Sequence, residues 1–170
     1  MHSTQNAESL GLIVLSNDSK MICDWGFDGA DSVDPSKRVI KGRGGALLGE
    51  KILATKCKHY IVIVDETKLV DDLVNGALVP VEFFPEARNH VYASLLALGA
   101  SEINERNSQA LDGTTRTEKG HTLVDVRFKK IDDNLEKEIK SITGIVDSGL
   151  FLTQVDEVWV GGVKGVEKRD

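Results

Sequence analysis

Cysteine and proline are scarce in this chain, aromatic side chains are few, and basic residues do not outnumber acidic ones. Only two cysteines, Cys23 and Cys57, occur in 170 residues, without framework spacing. They read as reduced thiols, and the fold must rest on its core rather than on cross-links. Lysine and arginine total 21 against 27 acidic residues, a net charge of −6. Nucleic acid as the main partner is therefore not expected, because a basic stripe is its usual footprint. No apolar run approaches membrane-spanning length, so no membrane association is expected. The opening MHSTQN lacks the charged-then-apolar order of a signal peptide. A cytoplasmic protein is expected. With 41% hydrophobic residues, the chain can bury one sizeable core or two small ones.

What is present is concentrated between Asp28 and Glu50, DGADSVDPSKRVIKGRGGALLGE. The stretch holds Asp28-Gly29-Ala30-Asp31, then Lys41, then the turn Gly42-Arg43-Gly44-Gly45. A helix is predicted from Ala46 to about Lys58, with Glu50 in its second turn. Carboxylates, an ammonium and free backbone amides so close together suit an anionic, hydroxylated substrate whose protons must be moved. Asp28, Asp31 and Asp34 also fit two other readings, a hard-cation site or a solvated acidic turn. The spacing matches no EF-hand loop. GRGGALLGEK (Gly42–Lys51) falls short of a nucleotide-triphosphate loop. Glu50 stands where that motif needs lysine, and Ile52 follows Lys51. A helix N-terminus there can still stabilise a negative oxygen. Taken singly, Lys41, Glu50 and Lys68 also read as solvated surface residues. His59, His90 and His121 show no ligand or triad spacing.

Along the chain, a helix is predicted over Ser3–Leu10, and Leu12-Ile13-Val14-Leu15 reads as a strand buried on both faces. Asn17-Asp18-Ser19 reads as a turn. Ile22–Phe27 is a weaker strand. Tyr60-Ile61-Val62-Ile63-Val64 is the clearest buried strand, running into Asp65-Glu66-Thr67-Lys68. Strands alternating with a helix predict a parallel α/β sheet, with ligands at the carboxyl ends of its strands. Asp28 and Lys68 each follow such an end. After Gly76 the pattern changes. Strands are predicted at Val79–Phe84, Glu102–Arg106, Leu123–Phe128 and Ile145–Leu152. Helices are predicted at Glu86–Leu98 and from Asp132 through Leu135, Ile139 and Ile142. Residues 107–120 read as a polar loop. This β-α-β-β-α-β order is that of a ferredoxin-like unit. Glu157–Val160 offers a last strand, returning to the first sheet. The expected fold is α/β: an N-terminally shortened Rossmann-like parallel-sheet domain (residues 1–76 and 151–170) with an inserted ferredoxin-like α+β domain (residues 77–150).

Five stretches carry a specific resemblance. FDGADSVD (Phe27–Asp34), IKGRGGALLGEKILA (Ile40–Ala54), IVIVDETK (Ile61–Lys68), VPVEFFPEA (Val79–Ala87) and ITGIVDSGLF (Ile142–Phe151) resemble the type A ribose-5-phosphate isomerase family, in order and at matching spacing. The resemblance covers nearly the whole chain from about Ser3. It implies interconversion of ribose 5-phosphate and ribulose 5-phosphate without a metal or organic cofactor, in a dimer or tetramer. Glu50 matches the general base that moves a proton between C1 and C2 through an enediolate. Asp28 and Asp31, with Gly29 and Ala30 between them, match the segment that holds sugar hydroxyls and helps to open the ring. Lys41, Gly42, Arg43 and Gly44 match the group that stabilises the developing oxyanion. Lys68 matches a substrate-binding lysine.

The chain also departs from the family pattern. The family's leading strand-helix unit, whose Gly-Thr-Gly-Ser-Thr-like loop cradles the substrate phosphate, has no counterpart here. Its loss is expected to weaken catalysis and to leave apolar surface uncovered. Arg43 stands at a usual glycine, where two outcomes are open: a clash in the turn, or a guanidinium that holds the phosphate instead. Ser32 replaces a glutamate and Gly49 an arginine. The family's Thr-Asp-Asn-Gly turn is represented by Thr117-Glu118-Lys119-Gly120. Two further expectations follow from these losses: a non-catalytic sugar-phosphate binding or regulatory protein, or an inactive fragment of the same family. The retained Asp28, Asp31, Lys41, Glu50 and Lys68 favour the enzyme.

Overall fold

The computed structural model describes residues 2–16, 19–106, 117 and 119–169. Most of the predicted polar loop at 107–120, the core of the turn at Asn17-Asp18, and Glu118 lie outside the described residues.

Helix α1 (His2–Ser9) forms where predicted. The next segment does not. Leu12–Leu15 adopts no strand and is exposed, Ile13 to 90%. An apolar run becomes a buried strand only when neighbours take up its backbone groups and both its faces, and here no described strand pairs with it.

Strand β1 (Cys23–Asp28) leads through the short strands β2 (Ser32–Val33) and β3 (Val39–Ile40) to helix α2 (Leu47–Lys56) and strand β4 (Cys57–Asp65). Helix α2 is shorter at both ends than its sequence suggests. Ala46 caps it, and at Cys57 the backbone turns extended into β4. Glu50 therefore sits in the first turn, not the second, where the helix dipole favours a carboxylate. A 3-10 turn, Glu66–Lys68, follows β4.

Strands β1 and β4 pair in parallel. Strand β10 (Glu157–Gly162) returns to pair in parallel with β4, and β11 (Gly165–Arg169) adds an antiparallel edge that periodicity did not reveal. The order is β1-β4-β10-β11. Val33, Val39, Ala54, Tyr60, Val62, Phe151 and Val158 make the core of one face. The other face is largely bare: Trp25 and Phe27 are both 58% exposed and Ile63 is half exposed. The clearest predicted strand is thus buried at Tyr60, Ile61, Val62 and Val64 but open at Ile63.

The second sheet contains β5 (Val79–Phe83), β6 (Ala100–Glu105), β7 (Thr122–Phe128) and β8 (Ile145–Ser148), in the order β6-β7-β5-β8 with every neighbouring pair antiparallel. Helices α3 (Arg88–Ala97) and α4 (Leu135–Ser141) lie between strands in the chain, giving the ferredoxin-like arrangement. Val91 and Leu95 of α3 and Leu135 and Ile139 of α4 are buried. They join Val81, Phe83, Val124, Val126 and Phe128 in one core, which Ile40, Leu73 and Leu150 also enter.

The strand expected over Ile145–Leu152 splits in two at Gly149. Strand β8 pairs with β5, whereas β9 (Leu150–Phe151) joins a small sheet of order β2-β3-β9. The cause is a close backbone crossing. Gly149 N–H donates to the Pro80 carbonyl, its carbonyl accepts from Lys41 N–H, and a Cβ on Gly149 would overlap the Lys41 carbonyl oxygen. The crossing carries the chain from one sheet to the other and fixes the backbone of Lys41.

Candidate active site

Asp28 closes β1 at the carboxyl end of the parallel sheet. Its Oδ1 accepts a hydrogen bond from the Gly29 amide at 2.8 Å, and its Oδ2 accepts one from the Tyr60 hydroxyl at 3.0 Å. Lys41 follows β3 and is almost wholly buried, 2% exposed. A buried lysine needs partners. Its ammonium lies 2.9 Å from Asp28 Oδ2, donates to the Gly29 carbonyl and reaches within 3.6 Å of Glu50 Oε2. Three elements that follow closely in the chain, β1, β3 and α2, thus bring Asp28, Lys41 and Glu50 together.

Glu50 is the least satisfied member. Its Oε2 is buried and makes no hydrogen bond to any described residue. Burial pushes its carboxyl above the usual range, partly opposed by Lys41 and reinforced by Asp28. A carboxyl that is desolvated, raised above its ordinary range and free of hydrogen bonds at Oε2 is suited to take and return a proton.

The turn between Lys41 and α2 depends on glycine. Gly42 has φ +94° and Gly45 φ +81°, and a Cβ at Gly42 would come within 2.7 Å of Leu47 Cβ. The Gly45 amide donates to the Gly42 carbonyl, closing the turn. The Arg43 amide donates to Asp31 Oδ2 at 3.1 Å, tying the turn to the acidic segment, and Arg43 itself is exposed. Asp31, Arg43, Arg106 and Asp125 line a cleft of about 470 Å³ beside the turn.

Other sequence candidates separate from the cluster. Asp34 is buried and turned to Arg38, at 2.6 Å, so the three aspartates do not converge. Among the described residues no three His, Cys, Asp or Glu side chains are grouped to hold a metal ion. Lys68 lies in the 3-10 turn beyond β4 and forms no ion pair with the Asp28–Lys41–Glu50 cluster. Ala30 packs partly buried against the core of the parallel sheet. Gly44 faces open space, with no atom within 4 Å of the position a Cβ would take.

Sequence reasoning missed Tyr60, Phe151 and Arg106. Tyr60 is fully buried, and burial together with the Asp28 carboxylate holds its phenol far above the ordinary range. A tyrosine within an otherwise aliphatic buried strand was the available signal, since its hydroxyl requires a partner. Phe151 carries the Lys41 ammonium at 5.8 Å and that of Lys51 at 4.7 Å from its ring centroid.

The model of ribose 5-phosphate isomerase A (phosphoriboisomerase A) matches residues 1–165. The chain belongs to the ribose 5-phosphate isomerase A family. It is 41% identical over 160 residues to the ribose-5-phosphate isomerase A of Pyrococcus furiosus, covering 93% of this chain and 69% of that protein. It is 40% identical to the Synechococcus enzyme of the same name, covering 94% of this chain and 68% of that one. Among solved members of the isomerase family, the Methanocaldococcus jannaschii structure superposes with a TM-score of 0.90 at 36% identity, covering 99% of this chain and 74% of that one. A second, solved in complex with phospho-erythronic acid, gives a TM-score of 0.92 at 36% identity, covering 98% and 73%. Among the described residues no helix is long and apolar enough to cross a membrane.

Proposed function

We propose that the chain is an aldose-ketose isomerase interconverting ribose 5-phosphate and ribulose 5-phosphate. The observation that carries this reading is the half-buried Glu50 carboxylate, its Oε2 buried, free of hydrogen bonds and 3.6 Å from the Lys41 ammonium. Glu50 removes the proton from C2 of the open-chain aldose. The C1 carbonyl oxygen becomes an enediolate oxyanion, which Lys41 and the Gly42–Gly44 turn, through its Gly44 amide, stabilise. A proton passes from O2 to O1, and Glu50 returns its proton to C1 as the C2 carbonyl forms. Asp28, held by Lys41 and Tyr60, binds sugar hydroxyls and accepts the hydroxyl proton when the ring opens. Gly29, Ala30 and Asp31 line the sugar, and Asp31 is oriented by the Arg43 amide. Lys68 and the exposed Arg43 guanidinium supply cationic character for the phosphate end. The base contributes roughly 10²–10⁴-fold and a preorganised oxyanion donor roughly 10²–10³-fold.

The reading includes a sugar phosphate as partner, a cytoplasmic setting and a homo-oligomer. The bare apolar face around Trp25, Phe27 and Ile63 supports assembly. Residues 1–76 with 151–170 are taken as the unit bearing the site, and 77–150 as the second.

The test is conversion of ribose 5-phosphate to ribulose 5-phosphate by the purified chain and by its Glu50→Gln variant. Turnover in the parent that vanishes in the variant is expected. A folded parent that binds the sugar phosphate without converting it overturns the isomerase reading in favour of a binding protein.

A further inference from the structure

Arg106 reaches the glycine turn from the other sheet. It lies one residue beyond β6, and its guanidinium grips Asp125 of β7 through two bonds, Nε to Oδ2 at 2.7 Å and Nη2 to Oδ1 at 2.6 Å. The third nitrogen, Nη1, donates to the Arg43 carbonyl at 2.7 Å and to the Gly42 carbonyl at 3.3 Å. The arginine and the aspartate are both mostly buried, with side chains 17% and 21% exposed. A planar guanidinium held by such a fork has little freedom, so it presents a fixed donor to the turn.

Peptide planarity converts this grip into aim. In a trans peptide the carbonyl of one residue and the N–H of the next point in opposite directions in one plane. Drawing the Gly42 carbonyl toward Arg106 turns the Arg43 N–H away from it, and that N–H donates to Asp31. Drawing the Arg43 carbonyl toward Arg106 likewise turns the Gly44 N–H away, and this amide donates to no described group. The turn needs such a hold. Gly42 and Gly45 both have positive φ, and glycine-rich backbone has many alternative conformations.

We propose that Arg106, oriented by Asp125, is a positioning residue that aims the Arg43 and Gly44 amides, the first at Asp31 and the second at the oxyanion of the reacting sugar. Its guanidinium is taken up by Asp125 and the two turn carbonyls, so it acts through the turn. The proposal rests on the isomerase reading for the oxyanion, but the aim of the two amides is a property of the chain itself.

Two variants test it, Arg106→Met, which removes the grip, and Arg106→Lys, which keeps the charge without the fork. Steady-state kinetics on folded protein are expected to show kcat falling about 10²-fold in Arg106→Met, as for loss of an aimed oxyanion donor, while KM moves less than about threefold. Arg106→Lys is expected to recover part of kcat. Amide resonances of Arg43 and Gly44 are recorded on the same proteins without substrate, and both are expected to shift in Arg106→Met while those of the α3 core stay in place. Unchanged Arg43 and Gly44 resonances in Arg106→Met overturn the proposal whatever the activity. Normal kcat in Arg106→Met, or a rise in KM with kcat unchanged, also overturns it. Absence of turnover in the parent with shifted amides sinks the isomerase reading and leaves the positioning role standing.

Discussion

Glu50 Oε2 stands 3.6 Å from the Lys41 ammonium, close enough to feel its charge and too far to be held by it. Lys41 is engaged at shorter range by Asp28 and the Gly29 carbonyl. The arrangement separates two jobs, with one carboxylate holding the cation and the other kept available for a proton.

The first prediction concerns pH and stability. Burial raises the Glu50 carboxyl in the folded protein, so ionisation there opposes folding. Below the ordinary glutamate range both states are protonated and no penalty exists. The penalty develops as pH rises through the raised folded value. Glu50→Gln is therefore expected to melt higher than the parent at pH 7 and to lose that advantage in acid, as read by thermal scans at both pH values. The acid limb of kcat in the parent is expected above the ordinary carboxylate range.

Removing Lys41 leaves Asp28 and Glu50 facing each other in a largely buried site. Lys41→Met is expected to cost about 3 kcal/mol in urea unfolding, at the lower end for a broken buried pair because Asp28 is partly exposed. It is also expected to move the acid limb of any residual activity further upward, since Lys41 is what lowers Glu50.

Tyr60→Phe deletes one hydroxyl from a fully buried ring and leaves Asp28 Oδ2 with Lys41 alone. A loss of about 1.5–2 kcal/mol is expected in equilibrium unfolding, typical of a hydrogen bond to a charged group. Turnover is expected to fall, but by much less than in Glu50→Gln, because Tyr60 acts through Asp28.

At Gly149 the space for a side chain is already occupied by the Lys41 carbonyl and, at 2.7 Å, by Pro80 Cδ. Gly149→Ala must therefore displace the backbone that carries Lys41. A drop in stability of roughly 3 kcal/mol, with loss of turnover, is expected from overpacking. A parent-like melting temperature in this variant would contradict the close crossing.

Phe27 lies on the bare sheet face. Phe27→Ser is expected to change unfolding free energy by no more than about 0.5 kcal/mol, as at exposed positions generally. Reduced self-association is expected in sedimentation velocity.

The sequence made the ferredoxin-like unit legible because its helices and strands such as β7 bury one face more than the other, and that periodicity is local. Val91 and Leu95, or Val124, Val126 and Phe128, announce their own core. Glu50 and Lys41 were legible through the glycines between them and through resemblance. Leu12–Leu15 misled because its composition says only that it would bury if covered, while coverage comes from elsewhere in space. The break at Gly149 was hidden inside what reads as one strand, since sheet membership is decided by partners far along the chain, Pro80 and Lys41 among them. Tyr60 and Arg106 were invisible for a related reason. Each is defined by a bond to a residue far along the chain, Asp28 for one and the Gly42–Arg43 carbonyls for the other.

Lys51 follows Glu50 on α2, roughly 100° around the helix. It is buried, and its ammonium is bonded to Glu136 at 2.7 Å, to Asp147 at 3.0 Å and to the Leu150 carbonyl at 2.6 Å. Burial opposes ionisation of Asp147, yet Lys51 and Lys140 hold its carboxyl below the usual range. These bonds act as a peg through the helix: α2 cannot roll about its own axis without breaking them. The direction of the Glu50 carboxylate is thereby set by a neighbour one step along the chain, and Oε2 keeps its place without a hydrogen bond of its own.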